Sequence, residues 1–384
     1  MFTYKVKLFR LFGFSVEADA SWVLLAVLVT WTLAHGVFPI YFEGLTTGTY
    51  WTMAIVGAAG LFMSIILHEL GHSLVARRFG LPIKSITLFV FGGVADMEDE
   101  PPTATAELFM AIAGPATSIA LALLMFGGAL AVPLVLPQYN GITPVQGVLW
   151  YLAWLNSILA VFNLLPAFPL DGGRVLRALL WGWRGNLRWA TRFASNVGSG
   201  FGIVLIAMGI FWLFTGNVVG GFWWILIGMF MRSAAQSSYR HVLVRRALEG
   251  ESLRRFMRTD VVTVPRYISL QELVEEYVYK YHYKMFPVVE DDKLIGCVST
   301  RELRNVDREE WDRTPVGEIM GNCSESNSVS PDEDPMKVLS TMNRTGQSRM
   351  LVIEGDQLAG IITLKDMLNF LSLKVGLEEG EELQ

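Results

Sequence analysis

The feature that most constrains this sequence is a set of six stretches that are long and apolar enough to cross a lipid bilayer, which takes about 20 residues per helix. Hydrophobic residues make up 52% of the 384 residues and charged residues 17%, against roughly 25% charged in a soluble globular protein. The sequence therefore excludes an ordinary soluble enzyme and predicts a polytopic α-helical membrane protein. The six predicted spans lie near residues 20–40, 51–76, 104–136, 146–170, 196–215 and 219–233.

Basic residues are distributed unevenly along the chain. Of the 31 Lys and Arg, only 12 precede residue 236. They lie before the first span and after the second, fourth and sixth spans, whereas the loops near 41–50, 137–145 and 216–219 contain none. By the positive-inside rule we expect a multi-pass protein of the cell membrane whose N-terminus, C-terminus and soluble tail are cytoplasmic. No dense run of Lys and Arg suits a phosphate backbone, so nucleic acid is not an expected partner.

The chain after the sixth span repeats itself at an offset of 64 residues. The segment 286–290 (FPVVE) matches 350–354 (MLVIE), and 294–296 (LIG) matches 358–360 (LAG). Each copy has the pattern of a helix, a short apolar strand, a turn, a second strand and a closing helix. The sequence therefore predicts a duplicated α/β module after the membrane part.

The two copies resemble a tandem pair of cystathionine-β-synthase-type (CBS) domains over about residues 252–373. In that family the pair often binds an adenine nucleotide, and a Ser or Thr together with an Asp three residues later contacts the ribose. Thr363 and Asp366 fit this pattern in the second copy, so the resemblance implies that they contact ATP, ADP or AMP. The first copy departs from it, because Ser299 is followed by Glu302 where Asp is expected. The alternative is a dimerisation module that binds no ligand.

The second predicted span contains an HExxH motif at residues 68–72 (HELGH). On a helix, residues i and i+4 share a face, so His68 and His72 can bind one zinc ion while Glu69 stands beside it. Zinc lowers the pKa of its bound water to about 7, and the carboxylate accepts the proton as hydroxide attacks a carbonyl. The motif also occurs by chance as two solvated histidines. Inside a span each ionisable group costs about 2.5–3.5 kcal/mol, which favours a metal site.

A third ligand is needed, because catalytic zinc usually has three protein ligands and one open position. His35 lies at the predicted outer end of the first span with no partner nearby in sequence, which favours an interfacial role. Asp171 follows the apolar, Pro-broken segment 163–170 at the end of the fourth span. Its simplest role is to cap the helix that begins at Gly172. One carboxylate oxygen would still be available for a metal.

These motifs resemble those of the site-2 proteases, the family of intramembrane zinc metalloproteases, over about residues 1–235. The family has an HExxH motif in one span and an Asn-x-x-Pro…Leu-Asp-Gly segment in a later one, which match 68–72 and 163–172 here. The resemblance implies that His68, His72 and Asp171 are the zinc ligands. It further implies that Glu69 is the general base and that Asn163 orients the substrate or stabilises the developing oxyanion.

Two further segments resemble the same family. Residues 86–95 (ITLFVFGGVA) are similar to its membrane-inserted β-hairpin, and Gly114-Pro115 matches its Gly-Pro element. The sequence departs from the family at Ser118, where members often carry Asn, so no substrate contact is carried over to this position. A free strand edge would hold an unwound substrate by β-augmentation. The alternative is a re-entrant loop with a structural role.

We therefore expect a zinc-dependent intramembrane endopeptidase that hydrolyses a peptide bond within a transmembrane helix of another membrane protein, as in regulated intramembrane proteolysis. One zinc ion per chain is expected, together with contacts to membrane lipid, regulation of the enzyme by a nucleotide on the tail, and a homodimer formed through the CBS domains. The predicted domains are the protease domain 1–235, a linker 236–251, the CBS domains 252–310 and 311–373, and an acidic tail 374–384.

Two other classes of protein carry related features. One is a CBS-gated ion channel or transporter, but the first 235 residues show no repeated charged segment and no inverted repeat. The other is a catalytically silent relative that binds membrane partners, although such a protein would be free to lose Glu69. The two cysteines, Cys297 and Cys323, are too few for a disulfide scaffold, so we expect reduced thiols.

Overall fold

The chain divides into two units, Met1–Arg240 and His241–Gln384. The structure is a computed structural model, and it describes residues 5–81, 83–89, 92–97, 100–135, 143–291, 293–321, 328–355 and 357–381. Each unit is described by itself below. The predicted domain boundaries stay a prediction, and the last helix of the first unit runs on into the second.

Within the described residues, six helices are long and apolar enough to span a membrane, which confirms the predicted polytopic helical fold. The first contains a π-helical turn at Leu33–Val37. A seventh, shorter helix, α5, lies between the fourth and fifth spans. The helices are α1 (Ala20–Tyr41), α2 (Thr47–Arg78), α3 (Ala104–Val135), α4 (Pro144–Asn163), α5 (Asp171–Arg184), α6 (Leu187–Phe214) and α7 (Val218–Leu248).

Local chemistry explains where several of these helices begin and end. The Thr46 side chain accepts a hydrogen bond from the Thr49 N–H at the start of α2, as a good N-cap does. Gly185, with φ of 68°, ends α5 in the left-handed conformation that glycine adopts most easily. Helix α7 extends well beyond the predicted span 219–233 because no Gly or Pro interrupts residues 229–249.

A four-stranded sheet accompanies the helices of the first unit, in the order β1-β2-β3-β4. Strands β3 and β4 are antiparallel and form the predicted hairpin, although residues 90 and 91 lie outside the described residues. Strands β1 and β2, which sequence reasoning did not predict, add an antiparallel pair that joins β3 in parallel register. The strands are β1 (Lys5–Leu11), β2 (Phe14–Asp19), β3 (Ile83–Phe89) and β4 (Gly92–Met97).

The sheet packs against the part of α2 that carries the HExxH motif. Phe14 and Ile86 form a buried cluster with Leu70 of α2. One turn earlier on α2, Ile66 packs against buried residues of β2 and β3. The alternating inward-facing residues of these strands therefore fix the sheet beside the motif helix.

The second unit contains the predicted repeat, and the two copies share their strand register. Val288 pairs with Gly296 in the first copy, and Val352 pairs with Gly360 in the second, with an irregularity at the next residue in both. The strands are β5 (Met285–Glu290), β6 (Lys293–Ser299), β7 (Ser328–Val329), β8 (Arg349–Glu354) and β9 (Gln357–Thr363).

The tail helices are short except for the last one. The first of them, α8, runs from Leu270 through a π-helical turn at Leu273–Val278 to Tyr281. Single 3₁₀ turns lie at Leu253–Arg255 and Arg308–Glu310. The remaining helices are α9 (Thr300–Leu303), α10 (Val316–Ile319), α11 (Pro335–Thr345) and α12 (Leu364–Glu381).

The segment that precedes the first copy completes the core of the second copy. Leu248, Leu253 and Phe256 are buried in one cluster with residues of β8, β9, α11 and α12. The backbone of Arg258 also pairs with Ile361 of β9, by hydrogen bonds of 2.9 and 3.0 Å. The two copies are therefore interlocked along the chain and are not independent modules.

The predicted reduced state of the cysteines is wrong for Cys297, which is disulfide-bonded. Cys323 lies outside the described residues. Cysteine count alone does not show which parts of the chain meet, and here the backbone of Cys297 forms two hydrogen bonds of 2.9 Å with Gly321. That contact brings the start of a distant segment beside β6.

Candidate metal centre

Helix α2 presents the two histidines of the motif on one buried face. His68 and His72 are 3% and 5% exposed, and their Nε2 atoms lie 3.2 Å apart. This is the geometry that the i, i+4 spacing predicts. Both Nε2 atoms therefore point toward one common position.

Asp171, the first residue of α5, completes the cluster from about a hundred residues further along the chain. Its Oδ2 atom lies 3.0 Å from His68 Nε2 and 3.2 Å from His72 Nε2. The N-terminus of α5 folds back closely on the preceding loop, because a Cβ on Gly172 would lie 2.3 Å from the Leu164 carbonyl oxygen. Glycine at this position is thus needed to bring Asp171 to the histidines.

The other ring nitrogen of each histidine is held by α3. His72 Nδ1 donates to the Met110 carbonyl at 2.6 Å, and His68 Nδ1 lies 2.9 Å from Ser118 Oγ. Donation by Nδ1 leaves Nε2 as the lone-pair nitrogen, which is the form that binds a metal. Ser118, where the family often carries Asn, therefore positions a histidine in this chain.

Helix α3 approaches the histidines so closely that only glycine fits between them. A Cβ on Gly114 would lie 2.1 Å from His72 Nε2 and 2.7 Å from His68 Nε2. On the facing helix, a Cβ on Gly71 would lie 2.5 Å from Thr117 Oγ1. Real carbon contacts are never that short, so the two glycines set the distance between α2 and α3. The predicted Gly-Pro element thus has a steric role at the cluster.

A buried ion pair joins α3 to α5. Arg177 Nε donates to Glu107 Oε1 at 2.6 Å, and a second guanidinium nitrogen contacts the same oxygen. Arg177 also lies over the Phe168 ring, 5.4 Å from its centroid. The pair holds α5 to the helix that orients the histidines, two turns from Asp171. Sequence reasoning missed it, since 70 residues separate the partners and neither belongs to a motif.

The arrangement fits a zinc ion. Zinc bonds of about 2.0–2.1 Å in a tetrahedral site place ligand atoms roughly 3.3 Å apart, and the three ligand atoms here are 3.0–3.2 Å apart. Burial raises the pKa of the Asp171 carboxyl, but the adjoining imidazoles of His68 and His72 outweigh burial and lower that pKa below its ordinary value. Two imidazoles and an ionised carboxylate form a donor set that zinc accepts.

The two other predicted catalytic residues differ in their positions. Glu69 follows His68 on α2, and its charge interacts with His68, His72 and Asp171. Asn163 ends α4, and its Nδ2 donates to the Leu159 carbonyl of the same helix at 3.0 Å. Within the described ranges, no hydrogen bond joins Asn163 to the metal cluster. The structure therefore brings Glu69, but not the Asn163 amide, to the three ligands.

In the tail, the predicted nucleotide contacts form a local network. Thr363 Oγ1 donates to Asp366 Oδ2 at 2.6 Å, and Arg258 donates to both Asp366 oxygens at 2.6 and 3.1 Å. The first copy differs, because Ser299 and Glu302 form a capping box at the start of α9. The Thr363 hydroxyl is likewise engaged with its own helix, since it accepts from the Asp366 N–H at 3.1 Å, so the copies differ in the acidic residue and in the Arg258 contact. Thr363 and Asp366, which match the family pattern, lie next to the Arg258 guanidinium.

Two family models match the chain. "Peptidase family M50" matches residues 56–139 and 138–209, and "CBS domain" matches residues 253–309 and 316–373. Rip3 of Mycobacterium tuberculosis is 35% identical over 370 residues, which cover 96% of this chain and 93% of Rip3. The zinc metalloprotease MJ0392 of Methanocaldococcus jannaschii is 31% identical over 383 residues, 99% of each chain.

Two solved structures are also similar. A site-2 protease from Methanocaldococcus jannaschii is 30% identical, covering 62% of this chain and 96% of that one, with a TM-score of 0.41. The CBS domain of a bacterial CNNM/CorC family Mg²⁺ transporter in complex with ATP is 20% identical, covering 35% of this chain and 97% of that one, with a TM-score of 0.30.

Proposed function

The chain belongs to peptidase family M50 and carries a pair of CBS domains, and on that premise we propose that it is a zinc-dependent intramembrane endopeptidase. The single observation that carries the proposal is the convergence of His68 Nε2, His72 Nε2 and Asp171 Oδ2 on one buried position. Membership of this family favours a protease over the channel or transporter that the sequence left open. The substrate class we propose is a transmembrane helix of another protein.

In the proposed reaction, His68, His72 and Asp171 hold the zinc. Zinc bound there supplies a Lewis acid that activates water and polarises the scissile carbonyl. Glu69 accepts the proton from the attacking water and returns it to the amide nitrogen that leaves. Ser118 and the Met110 carbonyl keep the imidazoles oriented throughout. Asn163 would contact substrate only after its amide turns away from Leu159.

The sheet suggests how a helical substrate is presented. Strand β4 stands at one end of the strand order and contacts α2. A peptide bond inside a helix must be unwound before attack, and an edge strand offers backbone hydrogen bonds to the extended form. A photo-crosslinking residue placed along β4 in a Glu69→Gln background should capture substrate. Absence of capture along the whole strand would contradict this role.

Cleavage of a purified single-pass substrate in detergent tests the proposed activity. We expect products whose new termini lie within the transmembrane segment, as read by mass spectrometry. Chelation should abolish the cleavage and added zinc should restore it, because the reaction needs the metal. Activity that survives complete removal of zinc would overturn the proposal.

The orientation of the protein is a further part of the proposal. We propose that both termini and the CBS tail are cytoplasmic, because the loops between alternate spans differ in basic residues. Protease added to the outside of sealed cells or vesicles should leave the tail intact. Digestion of the tail by external protease would contradict the proposed cytoplasmic orientation.

We propose that the CBS tail binds an adenine nucleotide at Thr363 and Asp366, and that this binding regulates the protease. The support is the local network, in which the exposed Arg258 guanidinium stands beside the family-type pair and would exchange its hydrogen bonds to Asp366 for an anionic ligand. Equilibrium dialysis of ATP against the full-length protein tests it. Thr363→Ala should weaken binding about tenfold, the effect of one good hydrogen bond to a charged or polar ligand. Ser299→Ala is the matched control and should bind like the wild type.

We also propose that two chains form a homodimer through their CBS domains, and that this dimer takes part in the regulation by nucleotide. Native mass spectrometry of the full-length protein, with and without ATP, measures the oligomeric state directly. A monomer under all conditions would remove dimerisation from the account.

A further inference from the structure

A pocket of about 230 Å³ that is lined by residues with polar side chains lies between the fifth and sixth spans, in a part of the unit that the proteolytic reaction does not use. Two apolar helices that cross a membrane normally meet through small and apolar residues. At this level, both helices instead present hydroxyl, amide and guanidinium groups. The lining residues are Ser195, Asn196 and Ser199 of α6, and Gln236, Tyr239 and Arg240 of α7.

The position of the pocket along the helices places it at headgroup depth. The short turn 215–217 joins α6 to α7, so the two helices run side by side from one membrane surface. At about 1.5 Å per residue, the pocket lies roughly 22–33 Å from that turn. The hydrocarbon core is about 30 Å thick. The pocket therefore lies at the opposite edge of the hydrocarbon core, next to the headgroups of that surface.

The surroundings of the pocket are cationic. Residues 184–240 contain no Asp or Glu. The charged residues of this segment are Arg184, Arg188, Arg192, Arg232 and Arg240. All six lining side chains can donate a hydrogen bond, and none is a carboxylate. A ligand that accepts several hydrogen bonds and carries negative charge suits this lining.

One buried hydroxyl in the pocket has no partner. Ser195 is 4% exposed, and its Oγ makes no hydrogen bond among the described residues. Serine and threonine in a helix usually bond back to the carbonyl four residues earlier, and Thr191, one turn away, does so to Leu187 at 2.7 Å. A buried hydroxyl left unpaired costs about 1–3 kcal/mol. The Ser195 side chain is therefore available to a ligand.

We propose that this pocket binds a phosphate oxyanion, supplied by the headgroup of an anionic phospholipid. Arg240 provides the charge, and Ser195 together with the neighbouring amides and hydroxyls provides the remaining donors. The lining residues all carry hydrogen-bond donors, they include no carboxylate, and they lie next to the headgroup region in a segment without acidic residues. The proposal is independent of the proteolytic activity.

Occupancy would also brace the loop that precedes Asp171. Gly198 lies between the pocket residues of α6, and a Cβ there would lie 2.4 Å from the Phe168 carbonyl oxygen. The α6 backbone thus rests directly on the loop 164–170. A lipid that ties α6 to α7 would stabilise this contact.

Native mass spectrometry of the purified full-length protein in detergent tests the proposal. Separate samples receive phosphatidylglycerol, phosphatidylcholine or inorganic phosphate. We expect one tightly retained phosphatidylglycerol per chain, and weaker retention of phosphatidylcholine, whose choline cation offsets the phosphate charge. Arg240→Gln and Ser195→Ala should each weaken retention about five- to tenfold, as loss of one surface cation or one buried hydrogen bond does.

The matched control is Arg246→Gln, which removes the same charge from the same helix further along α7. It should retain phosphatidylglycerol like the wild type. Without lipid, the two arginine variants should keep the wild-type melting temperature, and Ser195→Ala should melt at or above it, because it removes a buried unpaired hydroxyl. Equal retention by Ser195→Ala, Arg240→Gln and the wild type would overturn the site. Equal retention of phosphatidylcholine, or protection by inorganic phosphate alone, would overturn the assignment to an anionic lipid.

Discussion

The two clusters predicted from motifs, one in the membrane unit and one in the tail, differ in how their polar groups are satisfied. In the membrane unit, three buried ligand atoms from distant parts of the chain point at one another across 3.0–3.2 Å. In the tail, Asp366 already accepts two hydrogen bonds from Arg258, whose side chain is 63% exposed. The first cluster has the geometry to hold a cation at its centre, whereas the polar groups of the second already satisfy one another.

The difference reflects the solvent around each cluster. A buried carboxylate and two imidazoles lose their water, so a metal ion that neutralises and coordinates them repays a large desolvation cost. An exposed Arg–Asp pair keeps most of its water and contributes about 0–1 kcal/mol. Substitutions in the membrane cluster should therefore have large effects, and equivalent substitutions in the tail should have small ones.

The largest expected effect follows from Glu69→Gln. We expect cleavage to fall by about 10²–10⁴-fold, because the amide cannot accept the proton of the attacking water. Zinc content should stay at the wild-type level, since Glu69 is not one of the three converging groups. Initial rates on a single-pass substrate, with zinc measured in the same samples, check this. Substantial activity in the variant would show that another group is the base.

The next effect is on stability and comes from Glu107→Ala. It leaves Arg177 buried without its partner, which costs about 3–5 kcal/mol. The control is Glu333→Ala, which removes an exposed pair with Lys337 in the tail and should cost less than about 1 kcal/mol. Unfolding in mixed micelles of detergent and denaturant measures both. Similar losses in the two variants would break the comparison between buried and exposed pairs.

A smaller effect is expected from Ser118→Ala, which removes the group that holds His68 Nδ1. Loss of such a partner typically weakens zinc binding about 10–100-fold. Ser157→Ala is the control, since the hydrogen bond that the Ser157 hydroxyl makes among the described residues stays within its own helix, to the Ala153 carbonyl at 2.8 Å. Competition with a zinc-binding dye gives both affinities. An unchanged affinity in Ser118→Ala would remove Ser118 from the metal centre.

The smallest effect is the acid sensitivity of the tail. Partial burial raises the pKa of the Asp366 carboxyl, but the hydrogen bonds from Arg258 and Thr363 outweigh it and lower that pKa below its ordinary value. A lowered pKa stabilises the folded tail above the ordinary carboxyl range, and this stabilisation is lost as pH falls through the lowered pKa. As pH decreases, the rate at which pepsin digests the tail should rise more steeply in the wild type than in Asp366→Asn. Identical profiles would contradict the role of this pair.

The sequence predicted the elements that carry periodic or motif signals. The six spans, the hairpin and the repeated tail followed from hydropathy and from an offset between similar segments. The cluster of His68, His72 and Asp171 followed from two motifs, because a helix places i and i+4 side by side. The first 235 residues contain few other acidic or histidine side chains that could be the third ligand.

The contacts that support the cluster could not be predicted in the same way. Ser118 and His68 are separated by 50 residues, and Glu107 and Arg177 by 70. These residues come into contact because α3 packs very closely against its neighbours. Only the fold shows this close packing, through the lack of space for a Cβ at Gly114. Strands β1 and β2 were missed because a short basic segment before a span is usually interpreted as the cytoplasmic flank of that span. The segment gives no periodic strand signal of its own.

The central claim is that one zinc ion binds His68, His72 and Asp171, and X-ray absorption at the zinc edge of the purified full-length protein tests it most directly. We expect one zinc per chain with nitrogen and oxygen ligands at about 2.0–2.1 Å, two of them imidazoles, and no sulfur. Asp171→Ala should lower zinc occupancy sharply, whereas Asp366→Ala should not change it. A zinc bound through sulfur or through a single imidazole, or an unaltered site in Asp171→Ala, would contradict the account.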